Sequence, residues 1–299
     1  YDEKDIKEFV KKHKNLNLFE IDFKKKKILF KKGEHTINEQ IIFPKNYTTF
    51  LKPGTKIIFK NDGNFIFNEA IEFVGKKNNQ IEFLSGNTKN NSNYISVIKA
   101  EQNSIINYCN FKYLSAPIEK SEKGFLGSLN FYESNIKIEN STFKNNLNGD
   151  DYVNIVRSKF KIQNIIFENV LHDALDSDFS YGQINSMVAK NVLNDGLDFS
   201  GSTVEMTDIY LDTISDKGIS IGENSKIKVK NYKIKNSNIG LASKDLSKLI
   251  GKNIFFENLE TGFALYQKKS EFGPAEGIIN DLNILNVKNP FLVQKNSKL

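Results

Sequence analysis

The sequence predicts an all-β chain wound as a single-stranded right-handed parallel β-helix, with about 22 residues per rung and a short N-terminal capping helix. Three features lead there. A pattern of small residue, x, apolar, x, apolar, x, polar recurs at near-constant spacing, helical periodicity is confined to the start, and Asn and Gly punctuate short apolar runs elsewhere.

The helical signal comes first. Within residues 3–13, Ile6, Phe9 and Val10 fall at i, i+3 and i+4 among lysines, the spacing of a short amphipathic helix. Such a helix is expected to cap the first rung and shield an exposed strand edge. Residues 1–16 therefore read as the cap and 17–299 as the β-helix, one domain overall. Short alternating runs follow, such as Ile57-Ile58-Phe59, Phe65-Ile66-Phe67 and Ile71-Glu72-Phe73. Lys24-Lys25-Lys26-Lys27 reads as a solvated loop or an edge blocker.

The repeat is clearest after residue 130. It reads Ser134-x-Ile136-x-Ile138-x-Asn140, Ser158-x-Phe160-x-Ile162-x-Asn164, Ser202-x-Val204-x-Met206-x-Asp208 and Ser225-x-Ile227-x-Val229-x-Asn231. Weaker copies begin at Ser180 and Ser247, so successive starts lie 24, 22, 22, 23 and 22 apart. A second apolar run ending in Asn or Asp follows most copies, as in Ile166-Phe167-Glu168-Asn169. The Leu-x-x-Leu-x-Leu frame of leucine-rich repeats, which share this period, is missing. Short β-runs with Asn corners instead fit a coil whose rungs stack at about 4.8 Å. Residues one repeat apart then sit above one another. Asn140, Asn164, Asn231 and Asn253 are expected to form an internal amide ladder, and Phe131, Phe143, Phe160 and Phe167 to stack in the core.

Composition removes several functions. The formal charge is +6 and the pI about 9.0, yet Arg157 is the only arginine, which argues against a nucleic-acid reader that needs guanidinium forks. Cys109 stands alone, excluding an internal disulfide and a Cys-based zinc site. His13, His35 and His172 lie too far apart in sequence for a His-rich cluster. Neither a run of 18 apolar residues nor a secretory signal is visible, and a chain opening at Tyr1 fits a mature or trimmed product.

The pattern resembles the pectate-lyase-like right-handed parallel β-helix superfamily. Phe30 to Ile37, then Ile41-Ile42-Phe43-Pro44 and Lys52-Pro53-Gly54-Thr55, look like first rungs in that group. The resemblance implies the fold across most of the chain. It also implies a carbohydrate-active protein working outside the cytoplasm, whether extracellular, on the cell surface or periplasmic. Many members lyse, epimerise or hydrolyse acidic polysaccharides, and others are non-catalytic. Neither a Gly-His-Gly with an Arg-x-Lys partner nor an Asp-Pro-His signature is present, so no particular reaction follows from it.

The chemistry is expected just before each repeat start. Asp151, Asp173 and Asp195 are each 22 apart, as are Asn154, Asp176 and Asp198, which predicts two columns with Leu175 and Leu197 between them pointing inward. Carboxylates one rung apart repel by about 1 kcal/mol in water and by more when buried. A calcium ion, nearby lysines or a retained proton would each relieve that. Asp151, Asp173, Asp178 and Asp195 are thus candidate metal ligands. Asp176, Asp198, Lys217, Lys244 and His172 are candidate acid–base groups, and Asn154, Arg157, Glu223, Asp245, Lys268 and Lys269 candidate substrate contacts. Each also has a plainer reading: Asp at solenoid corners satisfies turn backbone, and surface lysines form weak pairs.

Two classes of function stay open on these residues. One is an enzyme on an acidic polysaccharide. It would act by lyase or epimerase chemistry, with a cation stabilising the enolate and Lys217 or Lys244 as base, or by hydrolysis through an Asp pair. The other is a non-catalytic glycan-binding or structural solenoid. Catalysis predicts that Asp176, Asp198, Lys217 and Lys244 converge on one open groove, whereas a scaffold would scatter them around corners.

Overall fold

Each repeat sets short alternating runs between residues that tolerate a left-handed backbone, and the chain turns a corner at each of those residues. Asn140, Asn145, Asn164, Asn169, Asn191, Asn231, Asn236, Asn253, Asn258 and Asn286 all have φ between +48° and +58°. In the computed structural model, which describes residues 3–86, 91–117 and 125–299, these corners close a right-handed β-solenoid of about ten turns. The helix spans Glu3–His13 and buries Ile6 and Phe9 against the first rung, as its periodicity predicts. An antiparallel pair, Phe19–Asp22 with Lys27–Phe30, joins the helix to the coil. Lys24, Lys25 and Lys26 sit in its exposed turn.

Thereafter the ladders are parallel and form three sheets. The first passes through Gln40–Phe43, Asn64–Phe67, Ile95–Ile98, Gly127–Tyr132, Asp151–Val156, Asp173–Asp178, Leu197–Ser200 and Lys217–Gly222. The second contains Ser104–Asn107, Ile136–Glu139 and the opening residues of Lys159–Val170, Tyr181–Val192 and Thr203–Ile214. The third contains Ile81–Ser85, Cys109–Lys112, Thr142–Lys144 and the closing residues of those same long strands.

Alternate residues point inward and build the core in columns. Phe83, Phe111, Phe143 and Phe167 stack with ring centroids 4.8, 5.0 and 4.8 Å apart. Phe131 and Phe160 are buried as well, in the core role expected of them. The corner asparagines do form ladders, for example Asn164 Nδ2 donating to Asn140 Oδ1 at 3.2 Å and Asn253 Nδ2 to Asn231 Oδ1 at 2.9 Å. These ladders run along the outside of the solenoid, because a left-handed corner residue turns its side chain toward solvent.

The internal ladder is made of serine instead. The Ser134 N–H donates to Ser158 Oγ at 2.8 Å, Ser158 N–H to Ser180 Oγ, Ser180 N–H to Ser202 Oγ, Ser202 N–H to Ser225 Oγ and Ser225 N–H to Ser247 Oγ. This explains the small residue that opens each repeat. Ser202→Ala removes the acceptor of a buried N–H, so it is expected to cost about 1–3 kcal/mol in denaturant unfolding. An unchanged midpoint would show that the ladder contributes nothing.

Candidate functional site

The acidic residues lie on the first sheet, where 22-residue spacing brings them into register. Asp151 faces Asp173, Asn154 faces Asp176, and Asp176 faces Asp198, while Leu175 and Leu197 are paired and buried between the columns. A third column carries Val156, Asp178, Ser200 and Gly222. The two expected columns therefore form. Gly218 leaves room for the core side chains of its own turn: a Cβ there would fall 2.1 Å from the Tyr232 hydroxyl and 2.2 Å from Ile234 Cδ1.

The edge column is tied into the backbone. The Asp195 N–H donates to Asp173 Oδ1 at 2.7 Å, and the Lys217 N–H to Asp195 Oδ1 at 2.9 Å. Asn194 Nδ2 also donates to Asp173 Oδ1, at 2.6 Å. Asp173 and Asp195 thus perform the corner role available to any solenoid Asp. Lys217 Nζ lies 3.2 and 3.4 Å from the two Asp195 oxygens and pairs with Asp216 as well.

The middle column is less committed. Asn154 Nδ2 bridges Asp151 Oδ2 at 2.9 Å and Asp176 Oδ2 at 3.2 Å. Asp198 continues into Ser220, whose hydroxyl accepts from Lys244 Nζ at 2.8 Å. Asp198 Oδ1 is buried and, among the described residues, has no hydrogen-bond partner.

Crowding on this sheet alters proton affinity. Burial, reinforced by Asp173, pushes Asp151 well above the usual carboxylate range. Burial together with Asp151, Asp178 and Asp198 does the same to Asp176. Asp173 is raised to about 7 by burial and then by Asp195. Asp178 and Asp195 are each raised to about 6, again mainly by burial, with Lys217 opposing the rise at Asp195. At Lys217 burial pulls the pKa down, but Asp195 and Asp216 outweigh it and the net shift is upward. The lysine stays an ammonium.

Other predicted contacts are placed differently. His172 is an exposed turn residue immediately before Asp173. Arg157 occupies a left-handed corner rather than a strand. Its guanidinium donates to the Tyr132 hydroxyl at 2.9 Å, approaches Glu133 at 3.9 Å and lies 5.9 Å over the Phe179 ring. Asp245 is buried and accepts from the N–H groups of Lys268 and Lys269 at 2.6 and 2.8 Å, so its carboxylate shapes that loop. Lys269 Nζ pairs with Glu223, and Lys268 is exposed. Sequence reasoning gave no role to Asn194, Asp216 or Ser220. Ser220 had a signal, since it stands 22 residues after Asp198.

Among the described residues, Asp173, Asp195 and Asp198 offer oxygens that all lie within 4.8 Å of one another. Such an all-carboxylate set suits a hard divalent cation. Asp151 and Asp178 fall outside that set.

No protein-family model matches the sequence, and no curated protein does. Solved structures do match. The catalytic domain of a GH87 α-1,3-glucanase in complex with nigerose is 15% identical, with a TM-score of 0.56 over 93% of this chain and 65% of that one. A variant of that domain with tetrasaccharides is 12% identical, with a TM-score of 0.51 over 92% and 63%. The periplasmic alginate epimerase AlgG is 10% identical, with a TM-score of 0.49 over 98% and 81%. This chain spans about 65% of the glucanase domain, and the likeness at that identity is one of fold. No helix of the described residues is long and apolar enough to cross a membrane. The chain is a parallel β-helix of the architecture its repeats predict.

Proposed function

We propose that the chain hydrolyses glycosidic bonds of a polysaccharide, with Asp176 and Asp198 as the acting pair. One observation carries this reading: the two are register partners in unlike surroundings. Burial, and then the neighbouring carboxyls of Asp151, Asp178 and Asp198, favour the protonated form of Asp176, whose Oδ2 accepts from Asn154. Asp198 has a buried oxygen free to accept. A carboxyl that holds its proton beside another with an oxygen free to accept can divide the acid and nucleophile roles. Carboxyls one rung apart stand about 5 Å apart, the separation of enzymes that retain configuration through a glycosyl–enzyme intermediate. Asp176 would protonate the leaving oxygen and Asp198 attack the anomeric carbon. Lys217, locked as an ammonium, would offset the charge of Asp195 rather than take a proton, and Lys244, buried and donating to the buried Ser220 hydroxyl, would brace the next rung of the column rather than meet the sugar. Work outside the cytoplasm belongs to the same proposal.

The Asp173–Asp195–Asp198 set favours a second reading, in which a calcium ion sits on these carboxylates and the reaction is proton abstraction from a uronate. Lys217 weighs against it, because its ammonium already occupies Asp195.

Purified protein incubated with uronate polysaccharides and neutral glucans separates these readings. We expect new reducing ends without unsaturated-product absorbance, unaffected by chelator. Calcium-dependent absorbance would overturn hydrolysis in favour of the second reading. Silence on every substrate in both channels would favour a binding solenoid.

A further inference from the structure

The corners at Arg157–Ser158 and Phe179–Ser180 lead from the acid-bearing strands onto the second sheet, where a groove of about 780 Å³ crosses five rungs. At about 4.8 Å per rung it is about 19 Å long. Its floor is an outward column running Lys137, Lys161, Gln183 and Glu205, and beside it Lys159 faces Tyr181. Two of these charges are already engaged. Lys137 pairs with Glu139 at 2.8 Å, and Glu205 with Lys228 at 2.9 Å. Among the described residues no ion pair engages Lys159 or Lys161. Tyr181, one rung on from Lys159, is 64% exposed, and Phe179 on the corner is 52% exposed.

From this we infer that the groove is a binding site for a linear anionic oligosaccharide, separate from the acidic columns. Two uncommitted ammonium groups match carboxylates along the chain, the Tyr181 ring offers a flat face for a sugar ring, and Gln183 supplies an amide. The volume lies within the range of ligand sites. The corner carries Arg157 over Phe179, so a chain leaving the acid-bearing sheet would pass a cation and an aromatic face before entering the groove. For the kind of ligand this inference rests on the proposed function; for its place it rests on the groove alone.

The test is calorimetric titration of a short oligouronate, with a neutral glucan oligomer as control, into the whole chain at low salt. The wild type is expected to bind the oligouronate and not the neutral oligomer. Lys159→Glu with Lys161→Glu should weaken binding at least about tenfold, and Tyr181→Ala several-fold, with melting temperature unchanged. Asp198→Asn should bind as the wild type does. Unaltered affinity in the double-lysine variant, equal binding of the neutral oligomer, or no binding by the wild type would each overturn the inference. Turnover of a short substrate reports on the acidic columns separately. If Asp198→Asn keeps turnover, the proposed function falls; if the lysine variant keeps affinity, the groove does.

Discussion

Replacing Asp176 by asparagine is expected to lower turnover by a factor of about 10²–10⁴ while raising the melting temperature at neutral pH. The first effect is the usual contribution of a positioned general acid. Asparagine has nearly the same shape, and its Oδ1 can still accept from Asn154, which now bonds Asp176 at 3.2 Å. It cannot release a proton to a leaving oxygen. The second effect follows from crowding. Asp176 faces Asp198 and feels Asp151 and Asp178, and burial penalises its ionised form first of all. A neutral side chain removes that penalty. A purely structural Asp176 would give the opposite pair of results, with turnover kept and stability lost. Activity on the cleaved polysaccharide and thermal unfolding of the same sample distinguish the two.

The folded chain is also expected to lose stability as pH rises from about 4 to about 7. Asp173 moves from its ordinary 3.8 to about 7 on folding, and Asp178 and Asp195 to about 6. Between those values the folded state holds protons that the unfolded state has released, so raising pH favours unfolding. The stabilisation is complete below about pH 4 and is lost as pH passes the folded values. At about 1.4 kcal/mol per unit, Asp173 alone accounts for a change on the order of 4 kcal/mol. Ordinary carboxylates, paired on the surface, would give the reverse slope. Melting temperature across this range in chelator checks the sign. Calcium that restores stability at pH 7 but not at pH 4 would support the metal-binding reading of Asp173, Asp195 and Asp198.

Much of this arrangement was legible because a solenoid converts sequence spacing into space. The intervals from Asp151 to Asp195 and from Asn154 to Asp198 place those residues in register without knowledge of any side chain. Other features depend on what each side chain spends its bonds on. Asp245 resembled a site residue, yet it holds the Lys268 and Lys269 amides of a loop that stretches the next repeat to 28 residues. The asparagine ladder stands outside the coil because its residues occupy left-handed corners, and the serines that open each repeat take the interior. Arg157 read as a strand residue, but it turns a left-handed corner and its guanidinium lies over the Phe179 ring one repeat on. The groove had no signature at all, since Lys159, Lys161 and Tyr181 look like any solvated strand face. Lys217 is intermediate. Its distance of 22 from Asp195 was readable, whereas the second carboxylate, Asp216, that fixes its charge was not assigned.

The central claim is that this sheet holds Asp176 as a carboxylic acid above the range where ordinary aspartates ionise, and carbon NMR titration of the aspartate carboxyls tests it most directly. Asp176→Asn and Asp198→Asn samples would assign the two signals. Asp176 is expected to keep its proton well after surface aspartates have ionised. If Asp176 ionises together with the surface aspartates, near pH 4, the column holds no acid and the hydrolytic reading is contradicted.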